Sequence, residues 1–276
     1  MKLKSHLFCL LTICIFSTLE VAGKLLGSGV SPYTLTAWRF LIGGMVILPF
    51  AVRQSQAVDF SLKIRDILRM GMLGVLNVCL SMLVLQLSIH YGKASLSAVI
   101  ISINPLFVSL FAMFFLREEL RFVRILGLIG GLIGIGLIVL GEAEFGSGQY
   151  RNLPLGIGLA VIAAINFGLY TVLTKKSVLA HGNLVTNSAS FIIGAFVLFG
   201  INAITGKPIL IDMTWNNLFL TLYLGIVITG IAYLLYFEGM KHLESNTASM
   251  YFFLKPVIAS LLAYFVLNEK LSPLQI

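Results

Sequence analysis

The sequence predicts an all-α polytopic membrane protein, and three observations carry that prediction. Hydrophobic residues make up 58% of the 276 positions and charged residues only 11%, with a mean hydropathy of +0.99. A soluble domain of this length carries roughly a quarter charged residues, so there is too little polar surface here to coat a water-soluble particle. Apolar runs of about 20 residues, the length that crosses a hydrocarbon core, recur along the whole chain. Finally, the pattern of one group of spans returns at a fixed offset.

In order, the runs place nine spans at about 6–26, 33–52, 67–89, 94–116, 122–141, 154–174, 184–204, 216–237 and 246–267. The alternating ten-residue segments of a membrane β-barrel are absent. "MKLK" before an apolar run imitates a signal peptide, but Glu20 and Lys24 inside the run, and its match to a later helix, mark a retained span. Cys9, Cys14 and Cys79 lie within spans without metal-ligand spacing and read as small packing residues. The segment 142–153 reads as a linker between halves, and 53–66 as the longest loop, either a plain connector or a segment lying along the membrane interface.

The fixed offset is 151 residues. "FLREEL" at 115–120 is answered by "VLNEKL" at 266–271, and Phe16, Lys24, Gly43, Gly74 and Pro105 fall on Phe167, Lys175, Gly194, Gly225 and Pro256. Eight of the sixteen positions in Pro105–Leu120 are identical in Pro256–Leu271. Apolar bias alone would not align proline, glycine and glutamate, so the chain is an internal duplication, with repeats at 1–148 and 152–276. The first copy has five spans. The second reaches only its fourth, so the expected architecture is ten spans when intact and about nine in this chain.

Basic residues orient the spans. With the N-terminus inside, the cytoplasmic segments hold twelve of them (Lys2, Lys4, Arg53, Lys63, Arg65, Arg69, Arg117, Arg121, Arg124, Lys175, Lys176 and Lys241). The opposite side holds five: Lys24, Lys93, Arg151, Lys207 and Lys270. Five spans per copy is an odd number, so the repeats are inverted relative to each other. The same bias accounts for the net charge of +8 without invoking nucleic acid.

Ionisable groups inside a bilayer are functional candidates by default, because burying them there is costly. Glu20, Arg39 and Lys255 stand out. At 1.5 Å per residue, Glu20 and Arg39 both lie about 10 Å below the outer boundary, which suggests either an ion pair between them or proton coupling. Lys255 lies about 15 Å into its span, directly before Pro256, and the matching place in the first copy holds Asn104 before Pro105. Proline interrupts the helical ladder, so Pro105 and Pro256 are hinge candidates beside a mid-depth site. Lys255, Asn104 and Tyr251, with Asn166, Tyr170, Asn77, Ser81, Tyr233 and Tyr236 from polar stripes at helical spacing, form the candidate binding set. Such stripes also serve helix packing. A fixed ammonium favours an anionic group on a ligand.

Together, the two five-span copies, the motif P-x(10)-L-x-E-x-L at 105–120 and 256–271, and the glycine-rich fifth span "VRILGLIGGLIGIGLIVLG" resemble the drug/metabolite transporter superfamily, in its EamA branch. The resemblance implies ten helices in the cytoplasmic membrane, both termini cytoplasmic, and a central cavity between the repeats. It implies export or import of a small metabolite; the inverted repeats point to secondary transport by alternating access, and export is the expected direction. Charge and aromatics at the site suit a small zwitterion or anion such as an amino acid.

An alternative lies in "LEVAG" at 19–23, which is similar to the glutamate-bearing first helix of small multidrug resistance relatives and would make Glu20 a proton-exchanging site for cationic drugs. An intramembrane enzyme is disfavoured: all four histidines lie at span ends and no acid pair shares a depth. A structural membrane protein would not need paired mid-depth proline sites. No metal or cofactor is implied. Gly127, Gly130, Gly131 and Gly134 permit close helix approach, to a tenth helix or across a weak homodimer, so the chain is read as a monomer or weak homodimer.

Overall fold

The computed structural model describes residues 2–26, 30–57, 63–119, 122–145, 152–212 and 214–268. These residues fold into nine helical segments: α1 (Lys2–Leu25), α2 (Pro32–Ala57), α3 (Ile64–Tyr91), α4 (Ala94–Leu116), α5 (Phe122–Phe145), α6 (Leu153–His181), α7 (Asn183–Ile204), α8 (Trp215–Met240) and α9 (Ser245–Leu267). Among the described residues, eight of these are long and apolar enough to cross a membrane. The ninth, α5, occupies the expected fifth span. Large side chains such as Met72, Phe114, Phe196, Val257 and Phe265 remain exposed on the outer faces, as a hydrocarbon solvent permits. The order agrees with the sequence reading. Several boundaries differ: α1 begins at Lys2, α6 runs on to His181, and α2 continues to Ala57, so the front of the predicted 53–66 loop is helix, while its residues 58–62 lie outside the described set, as do 146–151 of the predicted linker.

Helices α2, α3, α7 and α8 interlock through glycines. Gly74 of α3 crosses α7 so closely that a Cβ there would lie 2.1 Å from the Ser190 carbonyl oxygen, and one on Gly194 would lie 2.6 Å from the Gly74 oxygen. Gly43 of α2 meets α8 in the same way, 2.9 Å from the Gly225 oxygen. Without a hydrophobic drive between helices in lipid, such backbone approach is a main source of packing energy. The two crossings are built from glycines that the sequence aligns with each other, Gly43 with Gly194 and Gly74 with Gly225. Ser188 Oγ donates to the Gly44 carbonyl at 3.0 Å, tying α7 to α2.

Several helices are interrupted at mid-depth. In α1, Ser17 Oγ donates to the Ile13 carbonyl at 2.7 Å and Thr18 Oγ1 to the Ile15 carbonyl at 2.8 Å, and the helix breaks there before restarting at Leu19. Hydroxyls bonded back onto the preceding turn compete with the ladder and bend helices. A π-helical turn interrupts α3 at Val75–Met82 and α8 at Leu224–Ile231. In α4 the chain turns at Ser102–Ile103, and Pro105 sits in the first turn of Asn104–Leu116, where a missing N–H costs nothing. In α9 a 3₁₀ turn over Met250–Leu254 precedes Lys255–Leu267, with Pro256 in the equivalent place. Both proline helices end on a left-handed residue, Arg117 (φ 55°) and Asn268 (φ 52°), again 151 residues apart.

In α5, a Cβ on Gly127 would lie 3.6 Å from the Met250 methyl, whereas one on Gly130 or Gly134 would have no atom within 4 Å.

Candidate functional site

The breaks in α1 and α9 bring Glu20 and Lys255 together. Restarting α1 at Leu19 places Glu20 in a first turn, and Lys255 opens the proline helix of α9. Lys255 Nζ donates to Glu20 Oε1 at 2.5 Å, with the two side chains 2% and 1% exposed. The second carboxylate oxygen, Glu20 Oε2, has no hydrogen-bond partner.

Arg39 lies beside this pair and does not join it. The expected Glu20–Arg39 ion pair is absent among the described residues in this conformation: equal depth brought the two to one level, but the azimuth of α9 gives the carboxylate to Lys255. Arg39 is 1% exposed, its guanidinium carbon lies 4.9 Å from the centre of the Phe40 ring, and its Nε and Nη2 have no partner. The site therefore holds one buried anion and two buried cations.

A narrow pocket adjoins them, lined by Arg39 and Lys255 and by apolar groups from six helices, including Phe16, Met82, Ile101, Phe167 and Phe252. Tyr233 also lines it, at the centre of an aromatic cluster. Its ring lies 5.1 Å from those of Phe16 and Phe191, 6.0 Å from Phe40 and 6.2 Å from Phe167. Edge-to-face contacts of this kind add to the burial energy and fix the shape of the wall.

The remaining candidates divide. Tyr170 and Tyr236 belong to the aromatic cluster without lining the cavity, at 6.3 Å from Tyr233 and 5.7 Å from Phe252 respectively. Tyr170 donates to Asn187 Oδ1 at 3.4 Å, and Tyr233 donates to Asn77 Oδ1 at 3.5 Å, so Asn77 supports the wall from behind. Ser81 Oγ donates to the Ala163 carbonyl at 3.2 Å and Asn166 Nδ2 to the Leu80 carbonyl at 2.8 Å. These two close the α3–α6 seam across the π turn. Tyr251 shares a 2.9 Å hydrogen bond with His6 Nδ1 and does not line the cavity. Asn104 is fully buried with neither amide atom partnered. The apolar lining residues were not foreseen, because an apolar residue carries no signal in a chain where every helix is apolar.

A second lysine–glutamate pair stands at the end of α4. The left-handed turn at Arg117 aims Glu118 at the start of α9, where its Oε1 accepts from the Ser245 N–H at 3.0 Å and its Oε2 from the Asn246 N–H at 3.3 Å. Lys175 Nζ of α6 donates to the same Oε1 at 3.0 Å and to the Leu243 carbonyl at 2.8 Å. Burial alone would raise the Glu118 carboxyl, but the Ser245 N–H and the Lys175 ammonium outweigh it and hold it below the usual carboxylate range. In the other half Lys24 donates to the Ile89 and Gly92 carbonyls at 3.1 and 2.8 Å. Lys24 with Lys175, and Gly92 with Leu243, are again 151 apart.

Residues 3–140 and 154–276 match the EamA-like transporter family, which covers nearly all of the chain. The chain belongs to that family. It is 36% identical over 273 residues to an uncharacterized transporter of Clostridium kluyveri, an alignment covering 98% of this chain and 87% of the relative. It is 23% identical over 271 residues to an uncharacterized transporter of Archaeoglobus fulgidus, covering 98% and 91%. A solved crystal structure superposes with a TM-score of 0.74 at 21% identity, covering 98% of this chain and 91% of that one, and so shares the fold. This EamA-like chain is a multi-pass membrane transporter and not an enzyme. Among the described residues no group of three or more histidine, cysteine, aspartate or glutamate side chains could hold a metal ion.

Proposed function

We propose that this transporter carries a small zwitterion or carboxylate anion, of amino-acid size, by alternating access at the cavity beside Glu20, Arg39 and Lys255. One observation carries the reading: Glu20, Arg39 and Lys255 are buried together inside the helix bundle beside an aromatic-walled pocket, where holding charge is costly unless it serves a solute. Two features support the mechanism. The proline breaks of α4 and α9 and the glycine crossings recur at the repeat offset, as expected of halves 1–148 and 152–276 packed in inverted orientation. The helices that would bend at Pro105 and Pro256 also carry the site, so solute binding would bias their equilibrium. The reading places the N-terminus on the cytoplasmic side of the cytoplasmic membrane, with export the expected direction.

The test is flux of labelled amino acids and small carboxylates in proteoliposomes. Wild-type flux lost in Lys255→Ala, with folding retained, supports the site. Undiminished flux in that variant rejects it.

A second reading, efflux of a cationic compound in exchange for protons, is favoured by the unpartnered Oε2 of Glu20. It requires a cation to enter a site that already holds two. A pH-driven cation flux that disappears in Glu20→Gln would replace the first reading with this one.

A further inference from the structure

We infer that Arg39, and not Lys255, receives the carboxylate of the transported solute; this rests on the transport reading above and assigns its recognition group. Lys255 looks like the natural anion receptor from its depth and its proline neighbour, but its ammonium is already committed to Glu20 at 2.5 Å. Arg39 is not committed. Its Nε and Nη2, both without a partner, are the two donors of one edge of the guanidinium fork. That edge matches the two oxygens of a carboxylate as a bidentate pair, a geometry an ammonium cannot offer.

Charge bookkeeping points the same way. Glu20 and Lys255 cancel, which leaves one positive charge buried at 1% exposure with an aromatic ring beside it. The guanidinium cannot shed its proton to escape this cost. A monocarboxylate on the open edge would neutralise the site and satisfy both donors. An ammonium group there would add a third cation. The same pocket is lined by Phe16, Phe167, Tyr233 and Phe252, which are largely apolar and aromatic, so the body attached to that carboxylate should be apolar as well.

The experiment measures binding of benzoate and of its neutral analogue benzamide to the full chain in detergent, by thermal shift at constant ionic strength. Wild type should be stabilised saturably by benzoate and not by benzamide. Arg39→Gln should lose the benzoate response. Arg39→Lys, which keeps the charge and loses the fork, should bind roughly tenfold or more weakly. The double variant Glu20→Gln/Lys255→Met, which removes the neutral pair together, should keep the response. Absence of a benzoate response in wild type overturns the inference. So does a wild-type response in both Arg39 variants, or a response lost in the double variant and kept in Arg39→Gln. If Arg39→Gln does not fold, Arg39→Lys and the double variant decide the matter. Benzoate binding at Arg39 without flux of any solute would defeat the transport reading and leave this site standing; flux without anion binding would do the reverse.

Discussion

Two of the lysine–glutamate pairs among the described residues, Lys175–Glu118 and Lys255–Glu20, stand at very different places, and their surroundings are opposite. Glu118 at the end of α4 has both oxygens engaged: a lysine and two backbone N–H groups converge on it, and that lysine also reaches a carbonyl. Glu20 at mid-depth has a single partner, a bare second oxygen, and an unsatisfied arginine nearby. The first arrangement resists change because any movement breaks several charge-assisted bonds at once. The second leaves one acceptor and two donors unsatisfied, so an incoming group could bond there without displacing Lys255 from Glu20. Identical residue types thus form a brace in one place and, in the function proposed above, a receptive site in the other.

The largest effect expected from breaking this contrast is at the central pair. Lys255→Met alone leaves a carboxylate in the membrane interior and should destabilise by about 3–5 kcal/mol. Glu20→Gln/Lys255→Met should recover most of that stability while flux stays lost. Thermal unfolding and flux on the same preparations test this; recovery of both would make the pair purely structural.

At the brace, Glu118→Gln should cost about 1–3 kcal/mol, from the lost charge assistance and poorer capping of α9. Because the folded carboxyl titrates below its unfolded value, its contribution is complete above about pH 4.5 and fades as pH falls through the lower folded value. Wild type and Glu118→Gln should therefore converge in stability on acidification, as denaturation series across pH would read. A constant difference would remove the carboxylate as its source.

The smallest effect belongs to Tyr251→Phe. It gives up only the bond to His6, should cost about 1 kcal/mol or less, and should leave flux close to wild type. A large loss of flux would return Tyr251 to the site.

How much of this was legible beforehand follows from the same physics. Span positions and the class of fold could be read because the thickness of the bilayer writes itself as runs of apolar residues. Membership in the family was legible in the recurring proline and L-x-E-x-L spacing. Depth along a helix could also be read, and it brought Glu20, Arg39 and Lys255 to attention. Rotation about the helix axis could not. The break at Ser17–Thr18 and the 3₁₀ turn before Lys255 reset the azimuth of both side chains, so the partner of Glu20 emerges only when α1 and α9 are packed together. The capping role of Glu118 was hidden likewise, because the sequence presents it as a motif residue 127 positions from the N–H group it bonds. Asn166 and Ser81 looked like ligand groups and instead bond carbonyls across the α3–α6 seam, the packing use that polar stripes also have.

The most direct test of a central cavity that opens to both sides is thiol accessibility. In a chain with Cys9, Cys14 and Cys79 replaced by alanine, Ile101→Cys places a single thiol on the cavity wall. A membrane-impermeant thiol reagent should label it in right-side-out and in inside-out vesicles alike. Labelling from one face only, or from neither, would contradict alternating access at this site.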